Sequence, residues 1–575
     1  MRPTSNGQIA DALDELGDLY ELDGAVVHRV LAYRNAATVV RDAPVSVAAL
    51  TREGRVTELP GIGATLEQKI SDLIETGEIP AAVKLRARFP SGLLAITALP
   101  GLGPKRARRL FDELGIDSPQ ALREAAVTQK LRTLRGFGAK FEESVLASLD
   151  AAAAPQRRVR RTVLDRALAV GELLLAALRE LDPGARLELA GSARRRAESV
   201  KDLDIVLDRP ELLDRVGELE LIETASRTSA GAARARTHSG LTVELRAVAP
   251  EQFGDLLQHL TGSAAHNAAL REWAVRRGLH ISEYGMLDDA TAQTSVFATE
   301  EQLYEHLGLP YIEPELRENR GEIEAAIAGK LPQLIELGDI RGDLHCHTTA
   351  SDGHASITEM AQAARERGYE YLAITDHSAS HGFGNDVSPD QLRRQIELVR
   401  EADGELDDIH LLAGSEVNIL PDGSLDYDDE LLGELDWVIA SVHTAFTLHS
   451  DAMTARVIAA AEHPHVHAIG HLTGRMIERR RPYELDVDAV FAACARAGTL
   501  LEINSSPNRR DLGEVHARAA GAAGVGILID SDAHSPAGLD ALRYGIWTAR
   551  RAWLGPAEIV NTLPWRAFDA RRKRA

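Results

Sequence analysis

Residues 342–353 read GDLHCHTTASDG, and the two histidines of DLHCH, His345 and His347, stand two positions apart. On a strand that spacing turns both imidazoles to one side, as two ligands of one ion require. Asp352 follows in ASDGH. Further along, the runs YLAITDH, LLAGSEVNI, WVIASVHT, HAIGHLT, LLEINSS and GILIDSDAH each join an apolar strand to a polar end, and they alternate with helical stretches. Strands of this kind predict a parallel, barrel-like α/β domain with active residues at the C-terminal strand ends. His377, Glu416, His443, His471 and the pair Asp532 and His534 all fall at or just past such ends. A single histidine there is ordinarily a satisfied core residue. Six histidines and three carboxylates repeating the context predict a metal centre.

The pattern resembles the PHP (polymerase and histidinol phosphatase) family, whose metal motifs are HxH, a later TDH, an isolated Glu, isolated His residues and a terminal DxH. The likeness covers about residues 341–550 and fills nine ligand positions: His345, His347, Asp352, His377, Glu416, His443, His471, Asp532 and His534. It implies a distorted α/β barrel holding up to three Mn²⁺ or Zn²⁺ ions and hydrolysing phosphoesters. Imidazole and carboxylate ligands suit either ion. A divalent cluster makes hydroxide available near neutral pH and neutralises charge on phosphate oxygens, so no protein nucleophile is needed. Asp376, beside His377, is a candidate orienter of the ligands or a strand-end cap. Arg475, after His471, is a candidate for holding substrate phosphate.

At 575 residues the chain exceeds what one core organises, and roughly three to five domains are expected. Hydrophobic content of 44% and charged content of 26% are ordinary for soluble protein, and no apolar run approaches the ~18 residues of a membrane helix. MRPTSNGQIADALDEL lacks the apolar core of a secretory signal, so a cytoplasmic protein is expected. Two cysteines, Cys346 and Cys494, cannot build a disulfide framework, and Cys346 reads as a small buried residue. A formal charge of -22 excludes a uniformly basic nucleic-acid binder, so any DNA surface must be a patch. The run RRVRR at 157–161 is a phosphate track or a solvated face.

The first 150 residues are helical in pattern, broken by Leu59-Pro-Gly-Ile-Gly63, Leu99-Pro-Gly-Leu-Gly103 and Arg135-Gly-Phe-Gly138. These turns resemble helix-hairpin-helix motifs, in which glycines let DNA phosphate approach backbone N–H groups at a helix start. They point to Gly61, Gly63, Gly101, Gly103, Gly136 and Gly138 as DNA-binding positions. AYRNAATVV at 32–40 resembles the small N-terminal domain of family X DNA polymerases. That likeness aligns Lys69 with a Schiff-base lyase lysine and Arg29 and Tyr33 with a 5′-phosphate pocket, although Thr65 and Glu67 replace neighbouring basic residues.

RLELAGSA, DLDIVLD, LELIETA and LTVELRAV, between 185 and 250, are short alternating runs of a sheet with a few helices. In GSARRRAESVKDLDIVL, residues 191–207, a Gly-Ser turn and clustered arginines precede Asp202 and Asp204, which alternation places on one face. The stretch resembles the nucleotidyltransferase palm of family X polymerases. LTGSAAHNAALREWAVRRGLHISEYG (260–285) and ELRENRGEIEAA (315–326) resemble its thumb. The likeness implies that Ser192 and Arg195 hold nucleotide phosphates and that Gly262, Asn267 and Arg271 line the nucleotide site. It also implies that Asp202, Asp204 and a third carboxylate bind two Mg²⁺ or Mn²⁺ ions. The third position is Glu244, in Val243-Glu244-Leu245-Arg246, where the family has aspartate. One extra C–C bond of about 1.5 Å is large against the roughly 3.5–4 Å between two catalytic metals. His259-Leu260 stands where relatives place an aromatic pair.

The expected organisation is a helical lyase-like domain at 1–80, a helical DNA-binding domain at 81–150, a palm at 157–250, a thumb at 251–320, a linker at 321–340 and a PHP domain at 341–575, with AAAAPQ (151–156) as a second linker. The whole resembles bacterial family X polymerases with a C-terminal PHP domain. It implies a base-excision DNA repair enzyme that fills gaps from deoxynucleoside triphosphates on gapped or nicked DNA, acts as a monomer, and carries a 3′–5′ exonuclease extending to 3′-end or abasic-site processing. Three alternatives stay open: a degenerate palm on a working nuclease, a noncatalytic DNA-binding scaffold, and a small-molecule phosphatase.

Overall fold

In the computed structural model the strands Gly342–Cys346, Tyr371–Ile374, His410–Asn418, Trp437–Ser441, Ala468–Ile469, Leu500–Asn504 and Ile527–Asp530 pair in chain order, every pair parallel. A parallel bridge between Cys346 and Ala533 brings the last strand back to the first, so the seven-stranded sheet is nearly a closed barrel. The structure describes residues 4–99, 101–153, 161–382 and 385–572. Sheets of this kind are buried on both faces, which is why the strands read as apolar runs rather than alternations. Leu344, Ala373, Leu412, Ile439 and Leu528 pack with Phe568 of the terminal helix Trp565–Arg572. Leu372, Ile374, Ala413 and Ala440 pack instead with Met360, Ile396 and Val457 of covering helices.

Two units divide the chain: residues 1–160, 169–187 and 201–247 form the first, and 161–168, 188–200 and 248–575 the second. In the first, each of the three Gly-x-Gly turns buries its middle residue, Ile62, Leu102 or Phe137, in one apolar cluster. Gly61, Gly101 and Gly136 take φ of +75°, +78° and +93°, which a side chain would strain. Gly63 and Gly103 cap the helices Ala64–Thr76 and Pro104–Leu114, and Gly138 precedes Ala139–Ala153. Pro100 of the second turn and Arg157–Arg160 of the basic run lie outside the described residues. The helix Ala139–Ala153 takes in the first half of AAAAPQ, because a run of alanines favours helix.

The same unit holds a sheet in the order Asp202–Leu207, Thr242–Ala247, Ala232–Thr237, Ile222–Ser229, its first pair parallel and the others antiparallel. The second unit contains the helices Phe253–Thr261 and Ala264–Val275, joined through a cis Gly262–Ser263 peptide, with Ser263 capping the second. Residues 321–340, read from sequence as a linker, include the helix Glu322–Ile327. Its Ile323 and Ala326 pack against Leu270, Leu303 and Tyr304. Only two of its six positions, Ile323 and Ile327, carry a large apolar side chain, too few to show a helical period in the sequence.

Candidate metal centre

The histidines and carboxylates singled out in the sequence converge where the barrel strands end. His347, Asp352, His377 and His534 form one group able to hold an ion, His345, His347 and Asp532 a second, and His377, Glu416 and His443 a third. Glu416 links them: its carboxylate lies 2.8 Å from His377 Nδ1, 3.1 Å from His443 Nε2 and 2.8 Å from His471 Nε2. Asp532 Oδ1 is 3.1 Å from His347 Nε2 and 3.7 Å from His345 Nε2. Asp352 reaches His534 Nε2 at 3.3 Å and His377 Nε2 at 3.6 Å. Two donors each about 2 Å from one ion stand roughly 3–3.5 Å apart, and these pairs lie around that spacing, from 2.8 to 3.7 Å. His345 Nε2 and His347 Nδ1 are buried without a hydrogen-bond partner. Orphaned imidazole nitrogens facing carboxylates fit divalent metal. His471 and Asp532 hold φ of +27° and +55°, backbone strain of the kind kept at functional sites.

Burial alone would push Glu416 and Asp532 upward, but the surrounding imidazoles hold both carboxyls well below their usual range. Burial would lower His377 and His534, yet Glu416 and Asp352 bring the first to about 10, and Asp352 and Asp532 bring the second to about 9. Burial depresses His347 and His471 to about 4. The carboxylates thus dominate the field among these rings, which favours positive charge at the site. Asp352 and His534, each 37% exposed at the side chain, mark its open side.

Glu502, which the sequence reading did not single out, supports the centre from beneath. It accepts from His345 Nδ1 at 2.6 Å and from the His471 N–H at 2.6 Å. Asp343 accepts from the N–H groups of His345 and Ser531, and Asp530 from that of Leu344. Asp376 touches the loop rather than a ring: it accepts from the N–H groups of Thr348 (2.8 Å) and Ser351 (3.1 Å) and so fixes the segment carrying Asp352. Arg475 donates to the carbonyls of Arg509 and Arg510 and pairs with Glu198 at 2.8 Å. Arg509 places a cation beside the centre, 3.8 Å from Asp532. Cys346 is buried with its Sγ on the Ala373 carbonyl.

In the first unit, half-buried Asp202 and Asp204 alternate with buried Leu203 and Ile205, and Glu244 is the parallel partner of Asp204. Three carboxylates thus share one face of the sheet. Arg234, cross-strand from Glu244, holds its carboxylate at 2.6 Å. Lys201 pairs with Asp202 at 3.5 Å. Arg29 donates to Tyr20 Oη and lies over its ring, on which Tyr33 stacks at 5.3 Å. Lys69 is half-buried on a separate helix, Ala64–Thr76. In the second unit Ser192 is half-buried on the short helix Gly191–Arg194, and Arg195 donates to the Thr261 carbonyl beside Gly262. Asn267 donates to the His259 carbonyl at 2.7 Å, and Arg271 meets the His259 ring at 3.0 Å.

Sequence profiles of known families match in four places: a helix-hairpin-helix domain at 4–79, a SAM-like helix-hairpin-helix tandem at 93–151, a DNA polymerase beta thumb at 256–318 and a PHP domain at 343–506. Over 567 residues, 98% of each chain, the sequence is 36% identical to DNA polymerase/3'-5' exonuclease PolX of Bacillus subtilis (strain 168). The chain belongs to the bacterial family X DNA polymerases that carry a C-terminal PHP domain. The PHP part of this family X chain is also similar to free-standing proteins. It is 32% identical over 239 residues to a probable phosphatase of Thermoanaerobacter sp. (strain X514), spanning 38% of this chain and 89% of that one. It is 30% identical over 234 residues to a probable phosphatase of Syntrophotalea carbinolica, spanning 38% and 90%. No helix among the described residues is long and apolar enough to cross a membrane.

Proposed function

We propose that the protein is a cytoplasmic, monomeric DNA repair enzyme that fills gaps from deoxynucleoside triphosphates and trims or processes 3′ ends, abasic ends included, with its PHP centre. The convergence of nine candidate ligands at the barrel mouth carries this reading. His345, His347, Asp352, His377, Glu416, His443, His471, Asp532 and His534 would hold up to three Mn²⁺ or Zn²⁺ ions. Such ions supply activated water near neutral pH and neutralise phosphate charge. Glu502 orients His345 and His471, Asp376 holds the Asp352 loop, and the open side at Asp352 and His534 admits a DNA 3′ end. Arg509 offers a cation for the scissile phosphate. In the palm, Asp202, Asp204 and Glu244 are the metal carboxylates for Mg²⁺ or Mn²⁺. Ser192, Arg195, Gly262, Asn267 and Arg271 serve the nucleotide. Gly61, Gly63, Gly101, Gly103, Gly136 and Gly138 track DNA phosphate, which positions without reading sequence. Arg29, Tyr33 and Lys69 serve a 5′-phosphate and lyase step. A Lys69→Ala protein that still forms a borohydride-trapped adduct with abasic DNA would remove Lys69 from this reading.

The test uses a 5′-labelled primer on gapped DNA with Mn²⁺, with and without nucleotides, beside a His345→Ala/His347→Ala protein. Shortening lost in the variant, together with extension when nucleotides are added, is expected. One observation favours a second reading: Arg234 already neutralises Glu244. Shortening without extension would mark the palm as a retired polymerase on a DNA-binding nuclease.

A further inference from the structure

The helix Gly191–Arg194 and the residues just after it carry Ser192 and Arg195, the proposed nucleotide-phosphate groups. Four residues cannot sustain a helix alone, and Arg196 turns the chain with φ of +57°. The thumb residues Thr261, Glu300 and Glu318 hold the side chains of Arg194 and Arg195, and the backbone carbonyls after the helix are held from the PHP part of the chain. Arg551, the buried last residue of the helix Leu542–Arg551, donates from Nη1 to the Arg195 carbonyl at 2.6 Å. The same nitrogen lies 3.0 Å from Glu318, which also accepts from Arg195 Nε at 3.0 Å. Its other face is fixed by Glu514 at 2.8 Å. Arg510, also buried, donates to the Arg196 carbonyl at 3.0 Å and to Thr548 Oγ1 at 2.8 Å. Trp547 receives the Arg196 guanidinium on its ring at 4.4 Å. Charge-assisted bonds to two successive carbonyls fix a backbone in register, and positioning of a phosphate-binding group within about 1 Å decides its use.

We infer that Arg551 and Arg510 of the PHP part are positioning residues of the nucleotide site: they hold the Ser192–Arg195 segment in its triphosphate-binding conformation, so the nuclease domain completes the polymerase. The inference rests on the palm reading above. The experiment measures KM and kcat for a deoxynucleoside triphosphate in gap filling by full-length wild-type, Arg551→Ala, Arg551→Lys, Glu514→Gln and Arg195→Ala proteins, with Kd for a fluorescent deoxynucleoside triphosphate measured in parallel. Arg551→Ala should raise KM and Kd by about tenfold with kcat changed less than about threefold. Lysine should rescue part of the loss, because an ammonium still donates to the Arg195 carbonyl. Glu514→Gln, which loosens Arg551 from its other side, should raise KM in the same direction but by less than Arg551→Ala. Mn²⁺-dependent shortening of single-stranded primer by Arg551→Ala should match wild type within about twofold. An unchanged KM in Arg551→Ala, or a KM in Arg551→Lys no lower than in Arg551→Ala, would overturn the inference alone. Wild-type KM in Arg195→Ala, or a wild-type protein that neither extends nor binds nucleotide, would overturn the palm reading and the inference with it.

Discussion

Glu502 shows how a ligand's support escapes a sequence. Its partner His345 is 157 positions away, so no local spacing connects them, whereas His345 and His347 announce themselves two residues apart. A carboxylate on the far ring nitrogen fixes the tautomer and raises the basicity of the ligating nitrogen. Glu502→Gln should therefore weaken Mn²⁺ binding about 10- to 100-fold, read by calorimetric titration of the metal-stripped protein. Asp255 offers a test away from the metals. It is fully buried, one oxygen accepting from the Phe297 N–H and the other without a partner. Burial pushes its carboxyl up to about 6, against the hydrogen bonds from Phe297 and its own backbone. An acid whose folded pKa is raised binds more protons folded than unfolded, so its stability contribution is present below about pH 4 and lost as pH rises to about 6. Asp255→Asn, which mimics the neutral acid, should unfold at higher denaturant than wild type at pH 8, by roughly 1–3 kcal/mol. At pH 4 the gap should close. A constant difference across that range would show that charge is not the cause.

Elements differ in how openly they are written. The three Gly-x-Gly turns were legible because one short motif does two jobs: x enters the core and the glycines stay out. A Cβ built on Gly63 or Gly138 meets nothing within 4 Å, so the space in front of these turns is free for phosphate. Gly63 also has φ of -99°, which any residue adopts. Gly63→Val should leave Tm within a few degrees and weaken binding to gapped DNA by about threefold or more, measured by anisotropy at one fixed salt concentration. Equal binding would take this turn off the DNA. The strand Ala232–Thr237 stayed hidden because its buried side is Ala233, Ala235 and Thr237, alternating with Arg234 and Arg236. The period of two is present, but alanine carries too little apolar contrast to declare a strand. Arg234 matters, since it is the partner of Glu244.

For the whole molecule, the metal centre ties folding to ion supply. Candidate ligands drawn from the ends of six of the seven barrel strands exist together only in the folded state, so bound ions would stabilise by mass action, about 2.7 kcal/mol at a hundredfold excess over Kd. Calorimetry with Mn²⁺ and then with chelator should show a lowered Tm for the transition of the second unit, while the helical and sheet unit of residues 1–160, 169–187 and 201–247 keeps its own. A second-unit transition indifferent to chelator would deny that the centre holds metal. The barrel class, the helical hairpins and the ligand types were readable from the chain, because period, glycine placement and strand-end residues are local properties that neighbouring positions dictate. Four things came only with the fold: the closure of the sheet through Cys346 and Ala533, the joining of three groups by Glu416, the support from Glu502, and the grip of Arg551 and Arg510 on the segment after Gly191. Each depends on side chains tens to hundreds of positions apart meeting in a buried place, where desolvation makes an unpaired polar group costly and so decides which partners must be found.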